Sequence, residues 1–310
     1  MKKYLSILLV LVFVFSSCSK GGGKGENTNP EIPDTPIVPP TPDDPTTKVS
    51  FSPSIVAFSR MAGDAFEASD EISVYAVKMD ATNTTGILSS ANFADNLRYV
   101  YRSPKFEAFN KAVTYPDKST TLAFHAIYPY SSGYSVPEFL FAVNKDQSNE
   151  SNYMQSDLLT AVSKSAANAT VPLTFNHRLS KIVVNLVLKG VAANGLSVSF
   201  SNLCLSAKAN LNNTTFQGTG TKGSIVPAEN GSLSYKLILP PQALAKDMEL
   251  ATITIAGTRY IWNYSANREL ASGMEYSYDL EISASEDEGK VVVISSSIHP
   301  WGNEEEEAQL

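Results

Sequence analysis

Residues equipped for chemistry are few in this 310-residue chain. Its three histidines stand apart: His125 follows Phe124 in an apolar run, His177 precedes Arg178, and His299 precedes Pro300 and Trp301. None has a second histidine or a carboxylate at metal-ligand spacing, so each reads as an imidazole hydrogen-bonded at a strand end rather than a ligand or general base. Carboxylates gather twice. Asp43 and Asp44 lie in a proline-rich stretch, and Asp64, Glu67, Asp70 and Glu71 surround a loop before a strand. A turn role there, with Asp70 forming an Asx-turn, fits better than calcium binding. The chain contains no G-x-S-x-G, H-E-x-x-H, Walker loop or dinucleotide fingerprint. The early GGGKG has no strand before it and no Ser or Thr after its lysine. These residues point to no enzyme, no cofactor and no metal site. Two thiols, Cys18 and Cys204, are too few for a disulfide framework or a cysteine-rich zinc site. Cys204, in SNLCLSA, reads as a small hydrophobe on the core face of a strand. Tyr99, Tyr101, Tyr128, Tyr130 and Tyr134 could line a glycan-binding surface, although half-burial on a pleated face is the simpler reading.

The surrounding segments decide what these groups can do. Residues 1–17 begin with Lys2 and Lys3, continue with an apolar stretch from Tyr4 to Phe15, and end in Ser16 and Ser17. The apolar part is too short to cross a hydrocarbon layer about 30 Å thick, and the pattern is that of a signal peptide. Cys18 follows at once, and small-small-Cys resembles the lipobox of bacterial lipoproteins, although Phe15 stands where Leu is commonest. A lipidated Cys18 would hold the chain stably on a membrane. Residues 18–47 are Gly-rich and then Pro-rich, a composition that buries no core and suits a tether.

From residue 48 the pattern changes to short alternating runs bounded by Gly, Pro, Asn and Ser, among them EISVYAVKM, SKIVVNLVLKG, ATITIAG and MEYSYDLEI. Ile72, Val74 and Ala76 share one face of the first, and Ile182, Val184, Leu186 and Leu188 one face of the second. Long helical periodicity is absent. The expected fold is all-β, two tandem β-sandwich domains over residues 48–167 and 168–303, with an acidic tail over 304–310. The net charge of −7 argues against a nucleic-acid partner, which requires a basic patch.

Taken in order, several segments resemble the fimbrillin family of Bacteroidota lipoprotein precursors, the type V pilin superfamily. They are the Cys18 lipobox with its tether, SRMAGDAFEASDEISVYAV, DLLTA followed by VPLTFNHRLSKIVVNL, and the C-terminal LPPQAL, GTRYIWNYS and VVVISSSIHPWG. Ala68-Ser69-Asp70 departs from the family's Gly-Asp turn. The resemblance implies transthyretin-like sandwiches, no catalysis, and a surface lipoprotein of the outer membrane that passes into a fimbrium after processing. Its partners would be other fimbrial subunits, with host or bacterial surface ligands beyond them. It further implies donor-strand exchange. A protease would cut after Arg60, leaving Met61 as the new N-terminus, although Ala is the commoner residue there. The strand from about Lys48 to Phe58 would be removed, and Val49 and Phe51, with Ile55 or Val56, would be its groove-filling side chains. The last strand, KVVVISSSI, is a candidate donor that could equally complete its own domain. The alternative is a lipid-anchored glycan- or host-binding module that never polymerises.

Overall fold

The computed structural model describes residues 48–56, 65–79, 86–283 and 290–301. Cys18, the tether, Arg60, Met61 and the acidic tail lie outside these residues. All described residues belong to one compact unit, Pro42–Leu310.

The expected alternation appears as nineteen strands and one short helix among the described residues. The first part holds β1 (Ser50–Ile55), β2 (Glu71–Lys78), β3 (Ala94–Arg102), β4 (Lys105–Ala108), β5 (Leu122–Tyr128), β6 (Glu138–Ala142), α1 (Glu150–Gln155), β7 (Leu159–Ser165) and β8 (Thr170–His177). There follow β9 (Ser180–Lys189), β10 (Ser197–Asn210), β11 (Thr215–Ile225), β12 (Ala228–Gly231), β13 (Ser234–Leu239) and β14 (Gln242–Leu244). The chain ends in β15 (Glu249–Ile255), β16 (Thr258–Asn263), β17 (Arg268–Leu270), β18 (Met274–Ser283) and β19 (Lys290–Pro300).

Seven strands close into a barrel in the order β1-β4-β3-β2-β5-β7-β8, with β8 returning to β1. Every neighbouring pair is antiparallel except β8–β1, which is parallel. Closure removes the unpaired edges that an open sheet would expose. The remaining strands form a sheet β11-β10-β15-β16 that also carries β6, a sheet β12-β13-β9-β18-β19, and a small β14–β17 pair. Pairing crosses residue 168 in both directions: β8 completes the barrel, and β6 runs beside β10.

Two apolar clusters follow from period-two alternation. Ile72, Val74 and Ala76 of β2 face the barrel interior with Phe51, Tyr99, Phe106, Phe124 and Phe175. Tyr75 and Val77, on the other face of β2, join the second cluster with Ile182, Val184 and Leu186 of β9. Burying both faces of β2 in this way binds the barrel to the sheets beside it.

One expectation is corrected in β10. Cys204 is half-buried, and its neighbour Leu203 is the core residue, fully buried. The ladder with β11 slips twice, between Phe200 and Leu203 and between Cys204 and Ser206, and Asn202 takes a left-handed φ of 61°. A bulge of this kind changes which side chain faces the core, and simple alternation cannot anticipate it.

Candidate strand-exchange groove

The sequence assigned the removable strand to the start of the folded region, and β1 occupies that place. It fills the gap between β4 and β8. On the β8 side its register runs unbroken from Ser50↔Thr170 to Ile55↔Phe175. The Ser50 N–H donates to the Ala169 carbonyl at 2.8 Å, and the Val56 N–H to the Phe175 carbonyl at 2.8 Å. On the β4 side only Phe51↔Phe106 is paired, extended by the Val49 N–H to the Val113 carbonyl at 2.9 Å. This asymmetry accounts for Pro53. Residues 50 and 56 donate toward β8, so odd-numbered residues direct their nitrogens toward β4. Pro53 lies beyond the one paired position on that side, where a missing N–H costs no ladder bond.

The side chains of β1 divide by position. Val49 and Phe51 are buried, Phe51 completely. The Phe51 ring meets Tyr99 edge-on at 4.9 Å and Phe124 at 5.3 Å. Ile55 and Val56 are only half-buried. Complete burial of one aromatic ring contributes roughly 1.5–3 kcal/mol relative to exposure, so Phe51 anchors the strand.

Two features join β4 to β8 without using β1. Lys105 Nζ donates to Thr170 Oγ1 at 3.0 Å. Phe66 packs edge-on against Phe106 of β4 at 4.9 Å and Phe175 of β8 at 5.0 Å. Phe66 lies beyond Arg60 in sequence, so it belongs to the part that a cut after Arg60 would leave behind. Sequence reasoning passed over it because nothing local marks an isolated Phe in a loop as a bridge between two strands.

At the other end of the chain, β19 is the terminal strand of its sheet and pairs antiparallel with β18. Val291 and Val293 pack against the core, and Val292, Ile294 and Ile298 are exposed. Trp301 fastens its end: the indole stacks on His177 at 4.0 Å and 10°, and the Trp301 backbone N–H donates to the Gly273 carbonyl at 2.8 Å. Gly273 sits at φ 72°, with the His177 carbonyl 3.2 Å from where a Cβ would lie, so glycine is required there. His177 Nδ1 in turn meets the Asp157 carboxylate at 2.9 Å, both side chains being buried. His177 is thus a hydrogen-bonded imidazole at a strand end. His299 lies beside Glu275 at 3.5 Å. His125 is buried within β5.

Among the described residues there is no group of three or more His, Cys, Asp or Glu placed to hold a metal ion. Among them, too, no helix is long and apolar enough to cross a membrane. The Asp70 carboxylate closes the turn before β2, accepting from the Glu67 N–H at 2.8 Å. The five tyrosines do not share one surface: Tyr99 and Tyr128 are buried, and Tyr101, Tyr130 and Tyr134 are half-buried.

Comparison with known proteins adds three findings. A family model described as fimbrillin-like matches residues 59–301. A curated protein of Bacteroides uniformis named "Putative fimbrium subunit Fim1C" is 24% identical over 97% of this chain and 95% of its own length. Crystal structures of proteins described as "putative cell adhesion protein" share the fold. The one from Bacteroides ovatus has a TM-score of 0.64 and 18% identity, over 84% of this chain and 99% of its own. The one from Bacteroides uniformis has a TM-score of 0.59 and 21% identity, over 82% and 98%.

Proposed function

Because the chain belongs to the fimbrillin-like family, we propose that it is a non-enzymatic fimbrial subunit that assembles by protease-triggered exchange of its first strand. In this reading residues 1–17 are removed, Cys18 is lipidated at the outer membrane, and residues 18–47 hold the folded part away from it. Residues 48–167 and 168–303 are its two domains, each lending the other a strand, β6 and β8, and 304–310 is a solvated tail. Cleavage after Arg60 frees β1 and leaves Met61 at the N-terminus.

The observation that carries the proposal is the seat of β1. A short segment just upstream of Arg60 supplies a complete barrel strand, anchored by Phe51 and held to β8 through six registered positions. Its loss would leave a groove flanked by the edges of β4 and β8, with an empty aromatic slot beside Tyr99 and Phe124. An incoming strand of another subunit could supply the missing backbone bonds and alternate side chains. In the proposal β19 is that donor. Its Val291 and Val293 are spaced two residues apart, as Val49 and Phe51 are, and among the described residues no strand of its sheet pairs with its outer edge.

The test is mass spectrometry of the mature N-terminus in surface material from cells that make the protein, with Arg60→Ala beside the wild type. Assembled wild-type subunits should begin at Met61, and R60A should accumulate as lipidated monomer beginning at Cys18. Wild-type protein that always keeps lipidated Cys18 and stays monomeric would favour the non-polymerising surface module. Polymers of R60A as abundant as wild type would remove Arg60 from the mechanism.

A further inference from the structure

The loop that leaves β5 and the strand β6 border an open cavity of about 540 Å³ with the turn that enters β2. Assembly by strand exchange makes no use of it. Tyr128, Tyr130 and Tyr134 line it together with Asp70, Asn144 and Gln155. Cavities that hold small ligands commonly measure about 300–1,000 Å³.

The chemistry of the walls selects among ligands. Among the described residues, none that lines it is basic. Arg98, which reaches the same region, is committed: its guanidinium is paired with Glu71 and lies over the rings of Phe109, at 4.0 Å, and Tyr130, at 5.4 Å. The walls carry two carboxylates, Asp70 and Glu71, with phenol hydroxyls and amides around them. An anion would therefore meet repulsion and no free cation. An aliphatic ligand would strand the polar groups without partners.

A neutral polyhydroxylated ring satisfies both requirements, since its hydroxyls donate and accept while its C–H faces lie on aromatic rings. Several groups are already oriented. The Tyr128 hydroxyl donates to Asp70 Oδ1 at 3.2 Å, and Asp70 Oδ2 accepts from the Glu67 N–H. The Tyr134 hydroxyl donates to the Pro129 carbonyl at 3.0 Å. The Asn144 amide nitrogen donates to the Asn152 carbonyl at 3.0 Å, which turns its oxygen to the other side. Asp70 retains lone pairs for a ligand hydroxyl, and burial raises its pKa above the usual carboxylate value.

We propose that this cavity binds a neutral carbohydrate, with Tyr130 as the ring platform and Asp70 and Asn144 as hydroxyl partners. A surface-displayed subunit would then carry a sugar site separate from its assembly groove.

Saturation-transfer NMR on the full-length lipoprotein in detergent tests this. The probes are galactose, mannose, fucose and N-acetylglucosamine, with glucuronic acid and sialic acid as anionic counterparts and a lysine-containing peptide as a cationic one. At least one neutral sugar should receive saturation and the acids none. Tyr130→Ala should weaken that signal by about tenfold, the scale of one lost polar or stacking contact, without changing the thermal unfolding midpoint; Asp70→Asn should weaken it by a similar factor, with a lower midpoint because Asp70 also closes the turn before β2. Should Y130A lower the midpoint, the Gln155→Ala variant, at an exposed position, and the Asn144→Ala variant, at a half-buried one, take its place and should weaken binding of the same sugar. No transfer to any neutral sugar, preferential transfer to the acids, binding of the peptide alone, or unchanged transfer in every folded variant would each overturn the assignment. Loss of sugar binding would leave polymerisation intact, so this result and the Arg60 result are read separately.

Discussion

The first and last strands of the folded chain are built from similar apolar alternation and end in opposite situations. β1 is six residues long and closes a barrel, with Phe51 fully buried between Tyr99 and Phe124. β19 is eleven residues long and lies at a sheet edge, with Val292, Ile294 and Ile298 exposed. Removing β1 would open a hole in a core. Removing β19 would take Val291 and Val293 with it, uncover the part of the core they pack against and shift the edge inward to β18. The energetic role of a strand here follows from whether its sheet closes, and hydrophobicity alone would rank the two wrongly. In a strand-exchange reading that difference is what makes one strand an acceptor's plug and the other a movable donor.

The sharpest way to break the comparison is to truncate a side chain at each end. Phe51→Ala should cost about 3–5 kcal/mol, the usual loss for a buried aromatic whose site cannot collapse. Ile294→Ser should stay within about 0.5 kcal/mol, as exposed substitutions generally do. Denaturant unfolding of the two variants measures both. Equal losses would mean that β1 is no more deeply anchored than the edge strand.

Trp301 probes the intermediate case, a strand exposed on one face and fastened at its end. Trp301→Ala removes the stack on His177 and should cost about 3 kcal/mol. Hydrogen exchange should then speed up in β19 and at the His177 end of β8 before it does in β1. If β19 exchanges no faster in W301A than in wild type, the ladder with β18 alone holds the strand, and the fastening argument is lost.

The sequence made the faces of β2 and β9 legible, because Ile72, Val74 and Ala76, like Ile182, Val184 and Leu186, alternate without interruption, and period two is a local property. It also located β1, through the order of its motifs. It could not show Cys204 turning from the core, because a bulge upstream resets the alternation and Asn202 does not signal one unambiguously. The Phe66 bridge and the Trp301–His177–Asp157 chain join residues far apart in sequence, and only the fold brings such groups together. The tyrosines illustrate both limits. Their abundance was plain, but only the exit of β5 beside β6 separates core Tyr99 from Tyr130 at a cavity wall.

Alkaline pH should separate the two ends more gently. Burial pushes the Tyr99 phenol up to about 12, against the opposing pull of the Val113 N–H that it accepts. An unfolded tyrosine ionises near its ordinary value of about 10. Native Tyr99 therefore keeps its proton where the unfolded chain has lost it. The stability it contributes is complete below about pH 10 and disappears as pH rises through 12, at most about 2–3 kcal/mol. Tyr278, on the strand that pairs with β19, is raised still further by burial and its hydrogen bond with Tyr264. The seat of β1, in contact with Tyr99, should loosen first. Both tryptophans, Trp262 and Trp301, belong to the second core cluster; Trp301 also touches the end of β8 through His177, so the fluorescence of Trp262, read in a Trp301→Phe background, reports the C-terminal sheets. In a pH titration, tyrosinate absorbance should rise before tryptophan fluorescence changes, and Tyr99→Phe should flatten the loss of stability between about pH 10 and 12. Coincident transitions by both probes would show that the barrel and the sheets beside it give way as one unit, and β1 would then have no separate release.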